Sequence, residues 1–190
     1  MNEPPVAAAS ASPPAPASRV VVMGPSGSGK SAVGAAVAAR LALPFIDADD
    51  LHPAANVAKM SAGIPLDDSD RMPWLDVVAA TLHGAGGGVV VACSALARRY
   101  RDRILSGAVD SVFVELRVSE AELMRRMRTR AHFMPPSLLT SQLQTLEHLE
   151  PDEPGVVVEG DPPLADVVEA AVAAVRRYAA TRGAAGQSLR

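Results

Sequence analysis

Eight residues constrain this chain more than any others: Gly24-Pro25-Ser26-Gly27-Ser28-Gly29-Lys30-Ser31. They satisfy G-x-x-x-x-G-K-[ST] at every fixed position. The run Arg19–Met23 before them is apolar enough for a buried strand, and residues 31–41 after them carry a helical pattern. Glycines at these spacings let the backbone curl until successive N–H groups converge on an anion. A helix opening just behind the loop adds the positive end of its dipole. Gly24, Ser26, Gly27, Ser28, Gly29, Lys30 and Ser31 are therefore the candidate phosphate-binding residues. Lys30 would bring a point charge to the β- and γ-phosphates of a nucleotide, and Ser31 a hydroxyl to Mg²⁺. Lysine occurs only at positions 30 and 59, while arginine fills the other cationic positions.

A strand–loop–helix opening demands a sheet behind it, and the remaining sequence supplies one. Short apolar runs at 44–46, 89–92, 112–116 and 156–158 read as four further strands. Helical patterns lie between and after them, at 72–83, 95–105, 119–130, 137–146 and 164–178. Pro73 is expected near the first turn of its helix, and Ser119 with Glu122 forms a capping box. Strands apolar on both faces and alternating with helices predict a parallel sheet covered on two sides. The polar stretches 49–71 and 128–137 are long enough to be functional loops.

Residues 1–18, rich in Pro, Ala and Ser, are expected to be a disordered tail, residues 19–182 one domain, and residues 183–190 a flexible end. The net charge of -3 and the lack of a basic run argue against a nucleic-acid binder. No apolar stretch is long enough to span a membrane, the single Cys93 excludes an intrachain disulfide, and the start lacks a secretory pattern. A cytoplasmic location is the resulting expectation.

The phosphate loop alone leaves the enzyme class open. No N-K-x-D guanine motif occurs, and Ala92-Cys93-Ser94 at the third strand end lacks an acidic residue. Asp47-Ala48-Asp49-Asp50 follows the second strand instead. Ligands of open parallel sheets bind beyond the carboxyl ends of strands. One of the pair Asp47 and Asp49 would serve Mg²⁺ and the other orient or deprotonate an acceptor hydroxyl; a solvated acidic turn is the plainer alternative.

Phe45-Ile46-Asp47-Ala48-Asp49 resembles the acidic segment of shikimate kinases, but a longer series of blocks resembles the gluconokinase family. These are Asp47-Ala48-Asp49-Asp50-Leu51-His52-Pro53, Asn56, Lys59-Met60, Gly63-Ile64-Pro65-Leu66-Asp67-Asp68, Asp70-Arg71 and Pro73-Trp74-Leu75. Ala92-Cys93-Ser94-Ala95-Leu96, Tyr100-Arg101-Asp102, His132-Phe133-Met134-Pro135-Pro136, Ser141-Gln142 and Leu146-Glu147 continue the series. The resemblance implies a three-layer α/β/α P-loop kinase fold with a five-stranded parallel sheet and a mobile lid. It also implies ATP, Mg²⁺ and D-gluconate as ligands, 6-phosphogluconate as product, and a homodimer. Pro25 departs from the pattern, which usually has Val there, and a proline has no N–H to offer phosphate.

With that resemblance, Ser31 and Asp47 are expected to serve the metal, and Asp49 the 6-hydroxyl. Arg71, Arg101 and His52 are expected to hold the sugar acid, with His132 and Gln142 on the acceptor side. Arg71 could instead pair with its acidic neighbours, Arg101 could be one more exposed helix arginine, and His52 could cap a turn. Arg128 is expected to reach the phosphates from a closing lid. Gly160-Asp161-Pro162-Pro163 is placed to border the adenine. A kinase acting on shikimate or a nucleotide, and a nucleotide-binding module without catalysis, are the rival readings.

Overall fold

The computed structural model describes residues 19–129 and 136–187. Five parallel strands form one sheet in the order β2-β3-β1-β4-β5. They are β1 (Arg19–Met23), β2 (Phe45–Asp47), β3 (Val89–Cys93), β4 (Ser111–Arg117) and β5 (Gly155–Glu159). The helices are α1 (Lys30–Leu41), α2 (Ala54–Ser61), α3 (Asp68–Gly84), α4 (Arg98–Gly107), α5 (Glu120–Thr129), α6 (Pro136–Thr145) and α7 (Leu164–Gln187).

Alternation along β1 explains the layering. Val20 and Val22 face one side, where Val33 and Val37 of α1 and Val172 of α7 meet them. Val21 and Met23 face the other, against Leu75 and Val78 of α3 and Ile104 of α4. Every residue of β3 is buried, which is why it reads as an unbroken apolar run. Removing such two-sided surface from water is the main force holding the three layers together.

Three boundaries differ from expectation. Residues 49–71 are not one irregular loop: a 3-10 turn spans Ala48–Leu51, and α2 follows. Helix α3 opens at Asp68, because Asp67 accepts from Asp70 N–H while the Asp70 carboxylate accepts from Asp67 N–H. Pro73 consequently lies inside the helix, past its first turn. Helix α7 continues through Tyr178 to Gln187, into the segment expected as a flexible end. The tail at 1–18, residues 188–190 and most of the expected lid lie outside the described residues.

Candidate active site

The phosphate loop joins β1 to α1 as the motif requires. Gly27 and Gly29 have φ of 85° and 89°, a region that side-chain-bearing residues rarely adopt. Pro25 is compatible with the curl, since its carbonyl accepts from Ser28 N–H at 3.1 Å. The Ser26 N–H donates to Gln142 Oε1 of α6 at 2.7 Å, tying the loop to the opposite wall.

Lys30 is 9% exposed and has no carboxylate partner among the described residues. The Ser28 hydroxyl is also buried and has no hydrogen-bond partner among the described residues. A buried ammonium and a buried hydroxyl left this way call for an anion with several acceptor oxygens. A nucleotide triphosphate answers that need.

Beyond the loop, one cleft of about 560 Å³ is lined by Ser26, Lys30, Asp49, His52, Arg71 and Gln142. That volume includes the solvent-facing mouth of the cleft. Six of the residues singled out from sequence thus share one space. Trp74, Met60, Pro65, Leu66 and Leu96 give it an apolar wall. Asp47 ends β2 beside Ala92 of β3, and its carboxylate accepts from Asp49 N–H at 3.1 Å, capping the 3-10 turn. That cap exposes Asp49 at the cleft.

Trp74 fixes the far side. Its indole N–H donates to the Ala48 carbonyl at 2.9 Å, and its ring stacks on His52 with centroids 4.0 Å apart. Burial, the largest influence, and Arg71 push His52 below the usual histidine range, against an opposing pull from Asp49. The Arg71 guanidinium lies 5.2 Å from the centre of the Tyr100 ring. Its acidic neighbours are otherwise engaged: Asp70 pairs with Lys59 at 2.6 Å, and Asp68 receives Arg99 and Tyr100. Arg71 therefore stays available to the cleft.

Arg101 is placed elsewhere. Its side chain is fully buried, with Nε and Nη2 donating to Glu153 at 2.5 and 2.8 Å. Its other donors go to the carbonyls of Ala95, Leu96, Glu147 and His148. It clamps the 146–154 segment to α4 and is not free to bind a substrate. Arg128 ends α5 with an exposed side chain. Arg126, two residues before it, is the cation that touches the loop: it donates to the carbonyls of Ser28 at 3.2 Å and Gly160 at 2.8 Å. Arg126 also pairs with Glu122 on the helix face, at 2.7 Å. His132 lies outside the described residues. The Cys93 thiol, pushed up to about 12 by burial, sits protonated near Lys30, Asp47 and Asp49.

Two hard oxygen donors, Ser31 and Asp47, stand at the start of α1 and the end of β2. Among the described residues no group of three or more His, Cys, Asp or Glu could hold a metal alone. Two protein donors completed by phosphate oxygens and water are the usual way Mg²⁺ is held beside a nucleotide, so the donor set fits.

Known proteins resemble this chain in sequence and in fold. A family model described as an AAA domain matches residues 20–149. The gluconokinase of Gluconobacter oxydans (strain 621H) is 47% identical over 146 residues, covering 75% of this chain and 82% of that protein. The thermosensitive gluconokinase of Escherichia coli (strain K12) is 42% identical over 175 residues, covering 87% and 94%. The crystal structure of a gluconokinase from Sinorhizobium meliloti 1021 superposes with a TM-score of 0.81 at 48% identity, over 86% of this chain and 94% of that one. A shikimate kinase from Bacteroides thetaiotaomicron shares the fold at a TM-score of 0.58 and 18% identity.

Proposed function

Because the chain belongs to the gluconokinase family, we infer that it transfers the terminal phosphoryl group of ATP to the 6-hydroxyl of D-gluconate. The products are ADP and 6-phospho-D-gluconate. The observation that carries this reading is the sharing of one cleft by Lys30, Asp49, His52 and Arg71. An unpaired buried cation for phosphate and an exposed carboxylate for an alcohol sit beside a guanidinium and imidazole suited to a sugar carboxylate and its hydroxyls.

In the mechanism, loop amides and Lys30 hold the triphosphate with its γ-phosphorus toward the cleft. Arg126 and the 160–163 turn border the adenine side. Ser31 and Asp47 would hold Mg²⁺, which when bound neutralises charge on the phosphate oxygens. Asp49 accepts the proton of the 6-hydroxyl as its oxygen bonds to the γ-phosphorus and the bond to the β,γ-bridging oxygen breaks. Arg71 and His52 grip the other end of the acid, and most of the acceleration comes from positioning and charge neutralisation. Arg128, exposed at the end of α5, is available to the developing charge.

The family reading also supports a cytoplasmic homodimer of this domain. Among the described residues no helix is long and apolar enough to cross a membrane. Light scattering on the purified chain should give twice the mass of 19.6 kDa; the single mass would refute the dimer.

The reaction itself is tested by phosphorus NMR of a mixture with ATP, Mg²⁺ and D-gluconate. A new phosphomonoester whose phosphorus couples to the two protons of a methylene group marks C6 as the site. Coupling to a single proton would place phosphate on a secondary hydroxyl and refute the assignment.

A further inference from the structure

His52 has two ring nitrogens, and only one of them has a hydrogen-bond partner among the described residues. Asn56 is 3% exposed and uses both amide hydrogens: Nδ2 donates to the Asp70 carbonyl at 3.0 Å and lies 3.3 Å from His52 Nδ1. An amide nitrogen cannot accept, so this contact is a hydrogen bond only if Nδ1 is bare. The indole of Trp74 covers one ring face. His52 lines the cleft, and its Nε2 has no hydrogen-bond partner among the described residues.

We propose that Asn56 is a positioning residue that holds His52 as a neutral imidazole with its proton on Nε2, so that His52 meets the sugar acid as a donor to an oxygen. This deepens the reading of His52 as a substrate residue and rests on it. The groups facing the ring agree. Arg71 of α3 and burial against Trp74 oppose a positive ring, while Asp49 of the 3-10 turn favours one. A donor-only edge beside Arg71 selects ligands that present carboxylate or hydroxyl oxygens and rejects a cationic or N–H group at that point. The imidazole is fixed by Asn56, Trp74 and the Asp70 carbonyl before any ligand arrives, so the substrate need not order it.

Histidine nitrogen-15 NMR on the whole nucleotide-free protein tests this without catalysis, and four histidines keep the spectrum assignable. In the wild type at neutral pH, His52 Nδ1 should give the signal of a bare nitrogen and Nε2 that of a protonated one. In Asn56→Asp, which keeps the shape but replaces the donor by an acceptor, Nδ1 should become protonated. The KM for D-gluconate should rise about tenfold in Asn56→Asp and in Asn56→Ala, as expected for one misdirected hydrogen bond, with the KM for ATP unchanged. In a His52→Ala background, Asn56→Ala should add no further loss. A protonated Nδ1 in the wild type, or an equal loss with and without His52, overturns the proposal. Absence of gluconate turnover by the wild type would instead end the functional reading, because the nitrogen signals are read on the resting protein.

Discussion

Lys30 states the site's chemistry in one side chain. Its ammonium is buried without a counter-ion among the described residues, so it costs folding free energy that only a bound anion offsets. Lys30→Met should leave Tm unchanged or raise it, while kcat/KM falls at least about 100-fold. A parallel loss of Tm and activity would make the lysine a structural residue. In the proposed function Asp49 carries the acceptor side, so Asp49→Asn should lower kcat about 10²- to 10⁴-fold with ATP affinity kept. His52 makes a pH signature. Its folded pKa lies below that of the unfolded chain, so the unfolded state takes up the proton first on acidification. Stability should therefore fall as pH drops below a histidine's ordinary value of 6.5 toward the lowered one. Tm measured against pH should lose that component in His52→Gln, and an unaltered profile would contradict it.

At the scale of elements, the clamp between α4 and the 146–154 segment determines where α6 sits, and α6 supplies Gln142 to the phosphate loop. Arg101→Ala leaves Glu153 buried and unpaired, and should cost about 3–5 kcal/mol of stability. The gluconate KM of the folded fraction should not move, which separates a clamp from a substrate ligand. Gln142→Glu puts a carboxylate beside the loop amides and should raise the KM for ATP about tenfold or more by repulsion; an unchanged value would detach α6 from nucleotide binding. Pro25→Val should change ATP affinity little, because the curl already uses the Pro25 carbonyl and the phosphate-facing donors come later. These elements were unequally legible in the sequence. Strands buried on both faces and the loop between β1 and α1 are local patterns, and they declared themselves. The fate of Arg101 depends on Glu153, 52 residues away, and nothing in the run Arg98-Arg99-Tyr100-Arg101 distinguishes its buried member. Arg126 outranks Arg128 as the loop contact because of how α5 packs across Ser28 and Gly160, a tertiary fact. The start of α3 was readable in hindsight from Asp67 and Asp70, whose mutual capping bonds outweigh the helix-unfriendly Pro73.

Over the whole molecule, the order β2-β3-β1-β4-β5 brings the ends of β1 and β2 to the same edge with only β3 between them. The phosphate loop leaves one and the Asp47–Asp49 turn leaves the other, so donor and acceptor sides of a phosphoryl transfer face each other across the Ser94 end of β3. Helix α3 then brings Trp74 and Arg71 to the cleft, and His52 joins them from the end of the 3-10 turn; in the proposed function this wall chooses the acceptor. The proposed function thus divides the labour between a phosphate-gripping edge and a sugar-acid-gripping wall. It is tested most directly by ADP release from ATP in a coupled assay with D-gluconate, shikimate and nucleoside monophosphates offered in turn to wild type and Arg71→Ala. Release should depend on D-gluconate, with Arg71→Ala raising its KM at least about tenfold while leaving that for ATP intact. Release driven equally by shikimate or a nucleotide, or an Arg71→Ala variant whose KM for D-gluconate is unaltered, would contradict it.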